Sequence, residues 1–229
     1  MQGKTQSKFA ASLASPPDAS LSGNTSIELD SGEELRAHAS HLEQVSSTFQ
    51  GALKCLQPAA AAPQDASQDC LPSSEERAVI THRLPLPGVT RHQMLLLLHW
   101  LYSWTRESFS AALSVTNLVA LATISDRYGA LPVLHMVDSV LVKRSEAQAA
   151  SPLDEALGPV ILSAHTAPEQ HKLARKLHLT GYEAHVGIFL GMHADEIDLT
   201  KVDPGLAHIL VGASRIRAQM LASMLPTII

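Results

Sequence analysis

The 229-residue sequence is poor in aromatic side chains, in charged side chains and in cysteine. Aromatic residues make up 4% of the chain, which disfavours a β-sandwich and favours a mainly helical protein. Charged residues make up 17%, and 17 basic against 22 acidic side chains give a formal net charge of −5. Because no run of Lys or Arg provides the positive surface that phosphate binding requires, nucleic acid is excluded as the main partner. The 45% of hydrophobic residues excludes wholesale disorder.

The two cysteines, Cys55 and Cys70, lie in one stretch rich in Ala, Pro and Ser and predict no disulfide framework. The apolar run 94–98 is ended by His99, and no uninterrupted apolar run exceeds five residues, far fewer than the roughly 20 residues of a membrane span. A reducing compartment (the cytoplasm, the nucleus or both) and no membrane partner are therefore predicted. Residues 1–24 are rich in Ser and Ala and contain no Arg, which leaves two interpretations, a flexible extension and an organelle-targeting segment.

The first half of the chain alternates between strand and helix patterns. Apolar and polar residues alternate on both sides of the turn Asp30–Gly32, which predicts a β-hairpin over residues 26–38. The apolar spacing that follows is helical, and Ser46 is expected to interrupt it and cap a second helix. Residues 57–77 show no period and contain several prolines, so a flexible insertion of about 20 residues is predicted there. The prolines within and after the apolar stretch 84–86 place it at a sheet edge.

Helix-end signals indicate three further helices before residue 145. Thr90 and Gln93 have the spacing of a capping box, in which each side chain satisfies a free backbone donor of the other. A second helix that includes Asn117 is expected to end at Gly129. Pro132 is placed in the first turn of the third helix.

Four blocks of residues occur in an order and at spacings that resemble the BTB/POZ family of protein-interaction domains. The first begins with a small residue and His, the second is a helix that ends in Leu-Tyr, the third ends in Tyr-Gly, and the fourth places an acid between apolar positions. The residues that the resemblance assigns to the core of the fold are His38, Leu42, Ser46 and Phe49; Met94, Leu97, Leu98, Leu101 and Tyr102; Leu121 and Tyr128; and Val133, Val137 and Leu141.

The resemblance implies an α+β, mainly helical fold in which a small sheet is flanked by helical hairpins and followed by an all-α extension. It divides the chain into a flexible extension (1–24), a BTB/POZ domain (25–145, with the insertion 57–77) and a helical extension similar to the BACK type in position and helicity (146–229). It also implies a non-enzymatic interaction module without cofactors. The expected role is a substrate adaptor for a cullin-based ubiquitin ligase, and the alternative is a dimerising or transcriptional co-regulatory scaffold that binds no cullin.

Two departures from the family pattern bear on the expected partners, a cullin scaffold and a second BTB chain. Residues 24–27 lack the Asp that family members often carry in the dimer-forming region. Residues 54–78 contain no hydrophobic-x-Glu motif of the kind found in many cullin-binding members. Cullin recruitment is therefore an expectation of the family and not a feature of these residues.

The tail is expected to consist of helices after a hinge at 147–151. Residues 166–169 have the pattern of a second capping box, Gly181 is expected to end that helix, and residues 203–204 form an N-cap followed by Pro at the first helical position. The final helix carries one apolar stripe, expected to pack either on the BTB core or on a partner. The residues of this stripe are Leu206, Ile209, Leu210, Ala213, Ile216, Met220 and Met224.

The twelve histidines raise the hypothesis of a metal site in the tail. His171, His178 and His185 are spaced by seven, but this spacing separates neighbours on a helix by about 10 Å, whereas zinc ligands converge on one ion. Solvated surface histidines are the favoured interpretation, and a small metal-dependent enzyme is the remote alternative. The acidic residues between 195 and 203 lack the spacing of a calcium loop and are interpreted as helix caps.

Three residues are candidates for a protein interface: Leu56, Trp104 and Phe109. Trp104 and Phe109 lie in the connection after the helix that ends at Tyr102. Large aromatic side chains in such a connection either fill the edge of the core or anchor a partner. His38, at the predicted junction of strand and helix, is interpreted as a structural histidine.

Overall fold

The structure is a computed structural model that describes residues 23–56, 80–103, 109, 112–150 and 162–224. The chain forms two compact units, Met1–Val133 and Leu134–Ile229. The division falls inside one helix, upstream of the sequence-based boundary between residues 145 and 146. The prediction of a hinge at 147–151 is wrong for residues 147–150, because this helix continues through Ala150. Ser151 lies outside the described residues. The insertion 57–77 lies outside the described residues.

The sheet of the first unit has three strands, β1 (Thr25–Leu29), β2 (Glu34–Ala37) and β3 (His82–Leu86), in the order β2-β1-β3. β1 pairs antiparallel with β2, which confirms the predicted hairpin, and parallel with β3. Gly32 takes a positive φ of 77° in the turn between β1 and β2. β3 lies at one side of the described sheet, which confirms the predicted edge placement of the stretch 84–86.

The described residues begin where the sheet begins. A Cβ atom on Gly23 would lie 2.5 Å from the carbonyl oxygen of Ala37, so only glycine fits this close approach. The backbone carbonyl of Asn24 accepts the N–H of Thr81 at 2.8 Å, and its side chain accepts the N–H of Ala39 at 3.0 Å. Residues 23 and 24, which were assigned to the flexible extension, are therefore tied to the start of β1, whereas residues 1–22 lie outside the described residues.

Two short helices follow the hairpin, α1 (Ala39–Val45) and α2 (Ser47–Cys55). Ser46 separates them in an extended conformation and accepts the N–H of Phe49 at 3.1 Å, as its sequence predicted. The two helices contact each other, and α2 contacts β3. They form the first helical pair beside the sheet.

The second helical pair consists of α3 (Arg91–Tyr102) and α4 (Val115–Arg127), which contact each other. The capping box of Thr90 and Gln93 is present at the start of α3. α3 is buried on nearly all sides, as expected for a helix without a polar face. α4 ends in a Schellman motif with Gly129 at φ 63°, which confirms the predicted stop.

The remaining helices are α5 (Leu131–Ala150), α6 (Ala167–Lys176), α7 (Thr180–Met192), a short 3₁₀ helix (Leu199–Lys201) and α8 (Pro204–Met224). Pro132 lies in the first turn of α5, as expected. Within the second unit, α6 packs against α7, and α7 contacts α8. The described part of the chain is therefore α+β and mainly helical, as predicted, and residues 162–224 consist of helices joined by short turns. None of its helices has the length and hydropathy that crossing a membrane requires.

Two end signals in the tail were misread from the sequence. Thr166 is not a capping residue, because its backbone is helical and its hydroxyl pairs with Ser163 one turn earlier. α6 ends in a Schellman motif in which His178, at φ 55°, takes the left-handed position. Gly181 lies instead in the first turn of α7. By contrast, Asp203 caps α8 by accepting the N–H of Gly205 at 3.0 Å, as predicted.

Candidate interaction surfaces

The junction between β2 and α1 is joined to the end of α3 by two hydrogen bonds. The hydroxyl oxygen of Tyr102 accepts the backbone N–H of His38 at 2.8 Å and lies 2.9 Å from Nδ1 of the same residue. The rings of His38, His41 and Tyr102 pack edge to face, with centroids 4.9 to 5.8 Å apart. Burial raises the pKa of Tyr102, and the N–H of His38 opposes this rise. His38 therefore acts as a structural histidine at the corner where the sequence placed it.

A second junction joins α2 to the end of α4. The hydroxyl of Ser46 accepts the N–H of Phe49 and donates to the carbonyl oxygen of Tyr128. The rings of Phe49 and Tyr128 are stacked, with centroids 5.0 Å apart and planes 15° apart. Burial raises the pKa of Tyr128, and the neighbouring cation of Arg127 opposes the rise.

Most of the residues that the BTB/POZ resemblance assigns to the core are buried. The three that retain partial exposure are His38, Tyr102 and Tyr128, the residues of the two junctions. The buried ones are Leu42, Ser46, Phe49, Met94, Leu97, Leu98, Leu101, Leu121, Val133, Val137 and Leu141. Val137 and Leu141 belong to the second unit, and the others to the first.

The backbone of Gly88 links the turns at one end of the sheet. The N–H of Gly88 donates to the Asp30 carboxylate at 2.6 Å, and its carbonyl accepts from the Arg127 guanidinium at 2.6 Å. Gly88 has a φ of 69°, and a Cβ atom there would lie 2.7 Å from the Arg127 guanidinium. This link joins the hairpin turn, the end of β3 and the end of α4 within the first unit.

Two of the three predicted interface residues lie in the described part of the chain. Leu56 is half-buried at the end of α2. Phe109 is half-buried and lies parallel to the ring of His99, with centroids 6.2 Å apart and planes 6° apart. Trp104 lies outside the described residues. Burial lowers the pKa of His99, whose Nε2 is buried without a hydrogen-bond partner in the described structure.

The three histidines of the tail are not equivalent. His171 is buried in α6 and lies 3.9 Å from the carboxylate of Glu183 on α7, so its interpretation as a solvated residue is wrong. His178 is exposed at the end of α6, and His185 is half-buried on α7. Among the described residues, no group of three His, Cys, Asp or Glu side chains is placed to hold a metal ion.

The acid of the fourth block has a role that its spacing did not reveal. Asp138 on α5 accepts the N–H of Gly181 at 2.9 Å and that of Tyr182 at 2.7 Å, so its carboxylate caps α7. The ring of Tyr182 is buried, and this burial raises the pKa of its hydroxyl to about 12 despite the opposing effect of Ser145. These contacts fasten the start of α7 within the second unit.

Exposed apolar side chains concentrate on the last two helices. The exposed large hydrophobic residues of the described structure are Leu131 on α5, Ile188 and Met192 on α7, and Ile209, Val211, Ile216 and Met220 on α8. On the stripe predicted for the final helix, Leu210 is buried, whereas Ile209, Ile216 and Met220 are exposed. The other helices of the second unit therefore leave these three residues of the stripe uncovered. The exposed residues of α7 were missed, because that helix is apolar on most sides and shows no clear stripe.

The acidic residues between 195 and 203 bind neighbouring donors. Asp198 accepts the hydroxyl of Thr200 and its backbone N–H, and these two hydrogen bonds lower the pKa of the Asp198 carboxyl. Asp195 accepts the hydroxyl of Ser214 on α8 at 2.5 Å. Their interpretation as caps is confirmed for Asp198 and Asp203.

Comparison of the chain with protein-family models finds no match, and comparison with curated proteins finds no significant relative. The family resemblance therefore rests on the residues quoted for it and on their placement.

Proposed function

We propose that this chain is a protein-interaction module of the BTB/POZ type with a helical extension, and that it performs no chemistry of its own. One observation carries the proposal: residues from separate blocks of the resemblance bond to one another. His38 of the first block is hydrogen-bonded to Tyr102 of the second, and Ser46 of the first is hydrogen-bonded to Tyr128 of the third. The small sheet with two helical pairs, α1–α2 and α3–α4, also agrees with the expected architecture.

The polar contacts of these junctions favour a scaffold over an enzyme. The Ser46 hydroxyl is engaged by two backbone groups, and the Tyr102 hydroxyl by His38. A nucleophile instead needs an adjacent base and a free path to a substrate. The polar groups therefore orient helices, as in a module whose function lies in its surface.

The proposed role is that of a substrate adaptor for a cullin-based ubiquitin ligase in the cytoplasm, the nucleus or both. Partner binding is expected to involve Leu56, because it combines an apolar side chain with partial exposure at the end of α2. The absence of a hydrophobic-x-Glu motif in residues 54–78 favours a second candidate, a dimerising or transcriptional co-regulatory scaffold without cullin binding.

The two candidates are separated by titrating the full chain with a purified cullin and, separately, with a second purified BTB chain. Light scattering should show a saturable complex with the cullin for the adaptor role, or with the BTB chain alone for the scaffold role. L56E should weaken the complex at least tenfold, while Q50E, at an exposed position of the same helix, should leave it unchanged. Failure to bind either protein at micromolar concentrations would contradict the proposal.

A further inference from the structure

A pocket of about 250 Å³ lies within the second unit, bordered by the connection after α7 and by the middle of α8. Its apolar lining includes Leu199, Leu210 and Val211. Leu210 is buried, Leu199 is half-buried and Val211 is 36% exposed, so the apolar lining extends from the interior of the unit to its surface. Pockets that hold drug-sized molecules measure roughly 300 to 1,000 Å³. The volume of this pocket therefore suits a smaller ligand.

A carboxylate and a guanidinium also line this pocket, and they are not paired with each other. Asp195 lies on the connection after α7, and one of its oxygen atoms accepts the hydroxyl of Ser214 at 2.5 Å. Arg215 is the next residue of α8, is exposed, and has no ion-pair or hydrogen-bond partner among the described residues. The pocket thus presents a negative group that is held against α8 and a positive group that is free to turn toward a ligand.

We propose that this pocket binds a free α-amino acid with a branched apolar side chain, such as leucine. The ammonium group of the ligand binds the Asp195 carboxylate. Its carboxylate binds the Arg215 guanidinium, whose planar fork of donors matches two carboxylate oxygens. Its side chain contacts the apolar lining.

The two opposite charges separate this ligand from other small molecules. A ligand with only a positive charge meets the like charge of Arg215, and one with only a negative charge meets that of Asp195. A neutral apolar molecule uses the lining and neither charge. A zwitterion complements both groups at once, and such electrostatic complementarity is a source of specificity.

Binding is expected to be weak, because Asp195 and Arg215 are both exposed. Exposed ion pairs contribute little free energy in water, and a ligand of few atoms buries little surface. A dissociation constant in the millimolar range is therefore expected. Because the ligand contacts both residues, it joins the connection after α7 to α8 and stabilises the folded second unit when it is bound.

Titration of the full, isotope-labelled chain with L-leucine, followed by two-dimensional NMR, tests the proposal. Leucine should shift the amide signals of the residues around the pocket saturably and leave those of the first unit unchanged. Leucinamide lacks the carboxylate, and isocaproate lacks the ammonium group. Each of these two analogues should bind at least fivefold more weakly than leucine.

Two variants test the charged groups of the pocket separately. D195N and R215Q each remove one charge and should raise the dissociation constant for leucine at least fivefold. E196Q and K201Q are the matched controls, because each removes a charge of the same sign at an exposed position outside the pocket. They should leave the dissociation constant unchanged within twofold. Circular dichroism and thermal melting identify any variant that fails to fold.

The absence of a saturable shift up to the solubility limit of leucine would overturn the proposal. N-acetylleucinamide carries the leucine side chain without either charge, and its binding as tightly as leucine would overturn the proposal in favour of an apolar side chain alone. Unchanged affinity in both D195N and R215Q would overturn it as well. None of these results bears on the binding of a cullin or of a second BTB chain. The failure of this inference is thus distinguishable from the failure of the proposed function.

Discussion

The Tyr102 hydroxyl contacts two atoms of His38, the backbone N–H and Nδ1, although the two residues are 64 positions apart in the sequence. It thereby joins the end of the hairpin to the end of α3. When a backbone N–H that is shielded from water loses its acceptor, no hydrogen bond compensates for the hydration that it lost on folding. Tyr102 therefore stabilises the first unit through its hydroxyl as well as through its ring.

Y102F should lower the free energy of unfolding by about 1 to 3 kcal/mol, because it removes the acceptor of the His38 N–H and keeps the ring. Urea denaturation followed by circular dichroism measures the change. Y128F is the comparison variant: it removes a hydroxyl that bonds to the exposed Arg127 side chain, and it should cost less, because the backbone carbonyl of Tyr128 still accepts from Ser46 and no backbone donor loses its acceptor. A Y102F protein as stable as the unaltered chain would show that this junction does not stabilise the fold.

G88A should destabilise the protein by about 1 to 2 kcal/mol, because a residue with a Cβ atom is strained at a φ of 69°. The new methyl group would also displace the Arg127 guanidinium from its carbonyl acceptors. G51A is the control, since Gly51 lies within α2 in open space and alanine should stabilise that helix by up to about 1 kcal/mol. Thermal melting would contradict this account if both variants shifted the midpoint in the same direction.

D138A should destabilise the second unit by about 0.5 to 2 kcal/mol, because the N–H groups of Gly181 and Tyr182 lose their acceptor. D138N keeps one side-chain oxygen and should lose less. Hydrogen exchange at the first turn of α7 measures the loss locally. Exchange rates there that do not change in D138A would show that the carboxylate is not the cap.

Acidification should destabilise the fold through His99. Burial lowers its pKa in the folded state from the ordinary value of 6.5, so the unfolded state binds a proton first. The stability contributed by neutral His99 is complete above pH 6.5 and is lost as the pH falls through the lowered pKa.

Urea midpoints from about pH 7.5 to about pH 5 should therefore decline less steeply in H99Q than in the unaltered chain. H208Q, at an exposed position of α8, is the control and should follow the unaltered chain. Identical pH profiles for H99Q and the unaltered chain would exclude His99 as a source of the acid sensitivity.

The features that could be predicted from the sequence are those whose partners lie within a few residues of each other. The Ser46 cap, the capping box at Thr90 and the stop at Gly129 each satisfy backbone groups within one helical turn, so a short pattern contains most of the information. The hairpin was predicted for the same reason, because a short turn joins its two strands.

The errors arose where distant residues decided the local structure. Gly181 was read as a helix end, but Asp138, 43 positions earlier, fixes it in the first turn of α7. His178 instead takes the left-handed position that the pattern assigned to glycine. His171 was read as solvated, because a local pattern does not show that α7 brings Glu183 close to it. The exposed residues Ile209, Ile216 and Met220 of α8 have the periodicity of a packed helix face, and periodicity alone does not identify which surface covers them.

The central claim is that residues from separate sequence blocks form one nucleus in the first unit. A double-mutant cycle between F49L and Y128L, analysed by urea denaturation, tests this claim most directly. The two rings are stacked 5.0 Å apart, so we expect a coupling energy of about 0.5 to 1.5 kcal/mol. Additivity of the two substitutions within about 0.3 kcal/mol would contradict the stacking and, with it, the convergence of the first and third blocks.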